Sequence, residues 1–152
     1  MNDYTRRRII TALNTCIEVC TDAQKGYSLA AADARDPTLK TRLLAHVKER
    51  ADMVRELQDA VTAMNAMPEN EGTVRGALHR GFMTARRVMA GRDDRRIVEE
   101  CIRGDRAALK GYEAALRRVF FHRLPRPLHD LVDAQYSSIK RSLDGLREGY
   151  AV

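Results

Sequence analysis

The sequence predicts an all-α fold, a four-helix bundle in which two antiparallel helix hairpins are joined by a helical crossover. Apolar residues recur at alternating spacings of four and three along most of the 152 residues, which is typical of helices that bury one face. The chain has no Trp and 4 Pro, a composition that favours helices. Its length favours a single domain over residues 1–152.

The first two helices are predicted to form a hairpin. The first helix, about 3–33, has an apolar stripe that consists of Ile9, Leu13, Cys16, Cys20, Ala23, Tyr27 and Ala30. Asp36 and Pro37 then indicate a new helix, because Asp caps helices and Pro fits the first helical position. This second helix is predicted over 37–66, before a polar loop over 68–72. A turn this short makes the two helices antiparallel neighbours.

A shorter helix is predicted over 73–90, with Leu78 and Phe82 inward and Arg75 exposed. Such a helix spans about 27 Å, enough to connect the two ends of a bundle. Further helices are predicted over 94–120 and 128–148, separated by a turn that contains Pro125 and Pro127. A four-helix bundle with one long crossover has ferritin-like topology.

Two charged residues interrupt the apolar stripes. Arg50 lies on the inward face of the second helix, and Asp105 lies on the inward face of the helix over 94–120. Each is roughly a dozen residues from the same end of the bundle, so a rise of about 1.5 Å per residue places them at one height. Ser142 and Gln24 reach the same height. We therefore expect a buried polar layer in which Arg50 and Asp105 meet directly or through one water, with Ser142 or Gln24 completing the hydrogen bonds.

This layer has two interpretations. The first is a structural ion pair that fixes the register of the helices. The second is a ligand or metal site in the core of the bundle. Ferritin-like di-metal sites need Glu-x-x-His on two helices, whereas here His46 precedes Glu49 in the reverse order. An inward guanidinium would also repel a divalent cation. The sequence therefore predicts no metal and no cofactor.

The three cysteines lie on apolar helix faces and predict reduced core thiols: Cys16, Cys20 and Cys101. No apolar run is long enough to cross a bilayer, and no signal-type apolar run follows the basic N-terminus. We therefore expect a cytoplasmic protein without membrane contact.

The formal net charge of +6 permits an acidic partner. The topology brings many arginines to one end of the bundle: Arg6, Arg7, Arg8, Arg75, Arg80, Arg117, Arg118, Arg123 and Arg126. This basic end is interpreted either as an ordinary solvated surface or as a nucleic-acid interface. The chain contains no known nucleic-acid motif to decide between them.

Three stretches carry a resemblance to a known family. They are residues 13–22 followed by Gly26 and Tyr27, residues 76–81, which read Gly-Ala-Leu-His-Arg-Gly, and residues 107–116. The chain resembles, over nearly its whole length, a family of uncharacterised bacterial proteins with a ferritin-like four-helix-bundle domain of unknown function. The resemblance implies the bundle fold and a loose relation to ferritins, without an assigned activity.

The chain departs from the pattern of that family at three positions. Asp105 stands where Glu is usual, Arg106 where an acid is usual, and Leu143 where His is usual. These departures argue further against a metal site.

The function that the sequence favours is that of a non-enzymatic helical bundle, with a stress-related accessory role expected by analogy with the superfamily. The alternatives are a nucleic-acid-binding bundle that uses the basic end, and a degenerate metal-binding ferritin-like protein. A homodimer is the alternative arrangement for the crossover helix, with an interface centred on Leu78, Phe82 and Val88.

Overall fold

The computed structural model describes residues 1–70, 93–119 and 124–150, and all regular structure in these ranges is helical. The four helices are α1 (Asp3–Asp33), α2 (Pro37–Ala63), α3 (Asp94–Val119) and α4 (Arg126–Tyr150). The predicted all-α four-helix bundle is therefore confirmed. The predicted crossover helix over 73–90 lies outside the described residues, as does the dimer interface expected on it.

Local capping explains where the helices begin and end. The side chain of Asp36 accepts a hydrogen bond from the amide of Thr38 at 3.1 Å, and Pro37 follows as the first helical residue. α2 ends at Ala63, short of the predicted residue 66, because Asn65 adopts a left-handed φ of 54° that cannot continue a helix. α4 begins at Arg126, earlier than predicted, because the first turn tolerates Pro127, which has no N–H to donate.

The contacts at the two ends establish how α1, α2 and α3 run. At the upper end, the carboxylate of Asp94 accepts hydrogen bonds from the amides of Arg35 and Asp36, each at 2.8 Å. At the lower end, the guanidinium of Arg6 donates to the carbonyl of Met64 at 2.6 Å. The end of α2 and the start of α3 therefore lie at opposite ends of the bundle. This arrangement agrees with the predicted positions of the first three helices at the two ends of the bundle.

The helices are arranged as a square. α1 packs against α2 and α3, α3 packs against α4, and the contact between α2 and α4 is the weakest of the four. α1 and α3 approach closely at Gly111, where an added Cβ would lie 2.6 Å from a methyl group of Val19. The weak contact between α2 and α4 leaves a seam on one side of the bundle.

The apolar core has two parts. The lower part is the larger and includes Ile9, Leu13, Ile17, Leu57, Val61 and Ile139. The upper part includes Leu39, Leu43, Ile97, Val98, Ile102 and Leu146. Between the two parts, in the middle of the bundle, lie the buried Arg50 and Asp105.

Replacing Asp94 with Ala should destabilise the bundle by about 1–2 kcal/mol, because two amides of the turn between α1 and α2 lose a charged acceptor. Chemical denaturation measures this loss as a change in the free energy of unfolding. Asp59→Ala, at an exposed position on α2, is the matched control and should have little effect. An equal loss in the two variants would contradict the assigned role of Asp94.

Candidate functional site

A fully buried ion pair lies at the centre of the bundle. Arg50 and Asp105 are both 0% exposed, and Nη2 of Arg50 lies 3.1 Å from Oδ1 of Asp105. The other terminal nitrogen, Nη1, pairs with the carboxylate of Glu49, whose side chain is 36% exposed. The predicted direct contact between Arg50 and Asp105 is confirmed. The guanidinium, which stays charged in proteins, is thus held between two carboxylates.

Tyr27 supplies the polar group of α1 in this layer. Its hydroxyl donates to Oδ2 of Asp105 at 2.5 Å, and Cζ of Arg50 lies 5.5 Å from the centroid of its ring. Gln24, the predicted alternative to Ser142, is half-buried at the edge of the helix face, whereas Tyr27 lies on the buried stripe. A tyrosine on an apolar stripe carries a hydroxyl that needs a buried partner, and this was the signal for its role.

Ser142 belongs to the layer through Glu49. It is 6% exposed, and its Oγ lies 3.3 Å from Oε1 of Glu49 and 3.1 Å from the carbonyl of Ser138. The same oxygen lies 3.4 Å from Nδ1 of His46. Ser142 therefore reaches the height that was predicted, but it joins Arg50 through Glu49 instead of contacting the ion pair.

Burial shifts the protonation of the groups around the pair. Desolvation raises the pKa of Asp105, while the charge of Arg50 and the hydrogen bond from Tyr27 oppose that rise. Desolvation also raises the pKa of Tyr27, so its hydroxyl keeps its proton at neutral pH. His46, whose ring centroid lies 4.9 Å from that of Tyr27, has a lowered pKa because of its burial and of the nearby Arg50 charge. At neutral pH, the side chains of His46 and Tyr27 are therefore both uncharged.

One donor of the guanidinium remains unmatched. Nε of Arg50 is buried and has no hydrogen-bond partner among the described residues. A buried N–H without an acceptor costs about 1–3 kcal/mol of folding free energy. An additional hydrogen-bond acceptor placed next to Nε would therefore be stabilising.

A second polar row crosses the bundle below the ion pair. The hydroxyl of Tyr112 donates to Oε1 of Gln135 at 2.7 Å, and Nε2 of Gln135 donates to Glu56 at 2.8 Å and to the carbonyl of Met53 at 3.2 Å. The thiol sulfur of Cys20 lies 3.0 Å from the hydroxyl oxygen of Tyr112. Because Tyr112 donates its own proton to Gln135, the thiol is the donor in this second hydrogen bond. The row was not predicted, although Gln135 on an inner helix face was its signal.

The cysteines are buried free thiols, as predicted: Cys16, Cys20 and Cys101. Burial raises the pKa of Cys20 to about 11 and that of Cys101 to about 12. All three thiols therefore stay protonated near neutral pH, which makes them poor nucleophiles.

Both polar rows open onto the seam between α2 and α4. A cavity of about 320 Å³ lies beside the upper row and is lined by Arg42, His46, Glu49, Arg141 and Ser142 among others. A second cavity of about 480 Å³ lies beside the lower row, with Glu56 and Gln135 in its wall. The two cavities share Glu49 and Arg141 in their linings, so they form one groove along the seam.

The predicted basic end is only partly available for a partner. Arg6 is engaged by the carbonyls of Met64 and Asn65, and Arg7 pairs with Asp3 at 2.9 Å. Arg8 donates to the carbonyl of Arg118.

Arg117 and Arg118 are exposed near the end of α3. Nε of Arg126 lies 3.6 Å from Oδ2 of Asp130, which makes an ion pair. Arg75, Arg80 and Arg123 lie outside the described residues. Nucleic-acid binding at this end stays a prediction.

In the described ranges, no group of three or more His, Cys, Asp or Glu side chains is placed to hold a metal ion. The described helices also include none that is long and apolar enough to cross a membrane.

The family of the chain follows from its sequence over α1, α2 and most of α3. Residues 8–118, more than half of the chain, match the model of the family described as Domain of unknown function (DUF2383). The chain belongs to this family. The stretch that matches includes Tyr27, Arg50 and Asp105 but ends before α4. No curated protein matches the chain.

Replacing Asp105 with Ala should destabilise this DUF2383 protein by about 3–5 kcal/mol, because it leaves a buried guanidinium without its buried carboxylate. The double variant Arg50→Met with Asp105→Leu should lose much less, because no charge remains to be desolvated. Denaturant unfolding of the two variants tests the difference.

Arg103→Met is the matched control for this experiment. It removes an exposed pair with Glu100, whose N–O distance is 2.8 Å, and it should change the free energy of unfolding by less than about 1 kcal/mol. A double variant that is as unstable as Asp105→Ala would contradict the assignment of the loss to an unpaired charge.

The lowered pKa of His46 predicts a loss of stability in acid. The unfolded chain binds the proton of His46 near pH 6.5, whereas the folded chain binds it only at lower pH. The free energy of unfolding should therefore fall as pH falls below about 6.5, by no more than about 1.4 kcal/mol per pH unit from this residue. Denaturation of wild type and His46→Gln at several pH values measures the contribution, and an unchanged slope in the variant would refute it.

Proposed function

We propose that this protein is a non-enzymatic helical bundle of the ferritin-like kind, whose centre is occupied by a structural ion pair. The observation that carries the proposal is the position of the Arg50 guanidinium between the carboxylates of Glu49 and Asp105, which come from two different helices. The guanidinium thus lies between carboxylates, the groups that bind metal cations in metal-binding bundles.

The chemistry of the surrounding groups supports a structural role. Asp105 already accepts from Arg50 and Tyr27, and the Tyr27 hydroxyl holds its proton. The Cys20 thiol is protonated at neutral pH and donates to Tyr112. A catalytic nucleophile or base needs an available lone pair next to a substrate, and these groups use theirs within the core.

We extend the proposal to an accessory role in stress, by analogy with ferritin-like proteins. The support for this extension is the resemblance of the sequence to that superfamily together with the shared bundle topology. The degenerate metal-binding alternative differs from it in one measurable respect, the metal content of the protein.

A nucleic-acid-binding role is the second candidate, and the exposure of Arg117 and Arg118 on α3 favours it. Phosphate contacts release counterions and give binding a steep dependence on salt. A mobility shift that weakens steeply with salt, and that is lost in Arg117→Gln with Arg118→Gln, would support this candidate over the accessory role.

Protein purified without added metal should contain no stoichiometric transition metal, because the charge of Arg50 opposes a divalent cation between Glu49 and Asp105. Elemental analysis by mass spectrometry measures the content. Iron or manganese near one equivalent per chain, lost in Asp105→Asn, would overturn the proposal, whereas metal that persists in that variant would belong to another site.

A further inference from the structure

The upper cavity in the seam between α2 and α4 is built from positively charged and neutral donors. Arg42 of α2 and Arg141 of α4 line it, together with His46 and Ser142. We propose that this cavity binds a small-molecule ligand through an anionic group, a carboxylate or a phosphate. The proposal concerns ligand binding and does not depend on the metal content of the bundle.

Arg42 is positioned by α4. Its Nη2 donates to the carbonyl of Gly145 at 3.1 Å, across the seam. A Cβ at Gly149 would lie 2.9 Å from Nη1 of the same guanidinium, so the absence of a side chain there leaves room for it. The carbonyl of Gly145 and the space at Gly149, about one turn further along α4, thus position the guanidinium of Arg42 in the cavity wall. A guanidinium held in place loses less conformational entropy when it binds an anion.

The charge balance of the cavity wall favours an anion. Glu49 is the one acidic residue in this lining, and it already pairs with Arg50 and lies next to Ser142. No carboxylate of the described residues forms an ion pair with Arg42 or Arg141. The charges of these two arginines are therefore available to a ligand. Arg50 offsets the charge of Glu49 only in part, because it also pairs with Asp105, but two arginines and one acid still give the lining a net positive charge.

The cavity also contains buried donors suited to an oxyanion. Ser142 is 6% exposed, and its hydroxyl can rotate from its acceptors, the carbonyl of Ser138 and Oε1 of Glu49, toward a ligand oxygen. His46, half-buried beside it, adds an imidazole to the same wall. Charged and neutral donors from two helices that converge on one cavity are typical of sites for carboxylate and phosphate groups.

The size of the groove limits the ligand. The upper cavity of about 320 Å³ is at the small end of the range for small-molecule sites. It continues into the cavity of about 480 Å³, where Met53, Leu131 and Ala134 provide apolar surface and Lys48, Asp52 and Glu56 provide charged groups. A ligand with its anionic group at Arg42 and Arg141 can therefore extend a larger body down the seam.

Isothermal titration calorimetry of the full chain with sodium phosphate, and separately with sodium acetate, tests the proposal. Ionic strength is kept constant with sodium chloride. We expect saturable binding of at least one probe and a loss of affinity of about tenfold, equivalent to about 1.4 kcal/mol, in Arg42→Gln and in Arg141→Gln. Arg103→Gln is the matched control, because it removes the same charge at an exposed position of α3 that lines neither cavity of the seam. It should leave the affinity unchanged.

Nuclear magnetic resonance locates the bound probe. The ring resonances of His46, in the cavity wall, should shift in proportion to saturation, whereas those of His129, near the start of α4 at the lower end, should stay constant. Saturation by phosphate alone assigns a phosphate group, and saturation by acetate alone assigns a carboxylate.

Two results would overturn the proposal: no saturable binding of either probe, or an equal loss of affinity in Arg103→Gln, which would indicate a general charge effect. Thermal unfolding of each variant verifies that it is folded before its affinity is interpreted. The metal content of the same samples decides the proposed function separately.

Discussion

A guanidinium without solvent exposure constrains the whole bundle. Arg50 cannot lose its proton, so its burial is tolerable only where carboxylates and hydrogen-bond acceptors meet it. Asp105 meets this need from α3, which lies diagonally opposite α2 in the square of helices. The ion pair therefore links two helices that have little other contact with each other. Sliding or rotating either helix would separate the charges, so the pair favours one register of the bundle over its alternatives.

The same constraint accounts for the division of the core into two parts. Each of the four helices contributes to the layer: Tyr27 from α1, Arg50 from α2, Asp105 from α3 and Ser142 from α4. The lower row repeats this pattern, with groups from all four helices joined through Tyr112 and Gln135. Apolar packing alone tolerates small shifts between helices, whereas two rows of directional hydrogen bonds restrict them.

Helical phase and height were sufficient to predict the ion pair, because both depend only on the period of an α-helix and on which ends of the helices meet. The same reasoning did not predict the role of Tyr27. Counting residues fixes a height only to within about one turn, and the decision then depends on which side chain points at the carboxylate. The lower row depends on the side-chain orientation of Gln135, and the seam depends on the distance between α2 and α4. Neither quantity is contained in a stripe of apolar residues.

Glu49 connects the buried layer with the open seam. Its carboxylate pairs with the buried Arg50 while its side chain remains 36% exposed, so one acid serves both the core and the groove. An ionised group that is only partly buried keeps part of its hydration, and this hydration opposes closure of α2 onto α4 by apolar packing. The weak contact between these helices then follows from the charge buried at the centre, since the guanidinium requires a second carboxylate and its own helix provides it. The groove is in this sense a consequence of Arg50. Only the side chain of Glu49 would separate a ligand bound in the groove from the buried guanidinium.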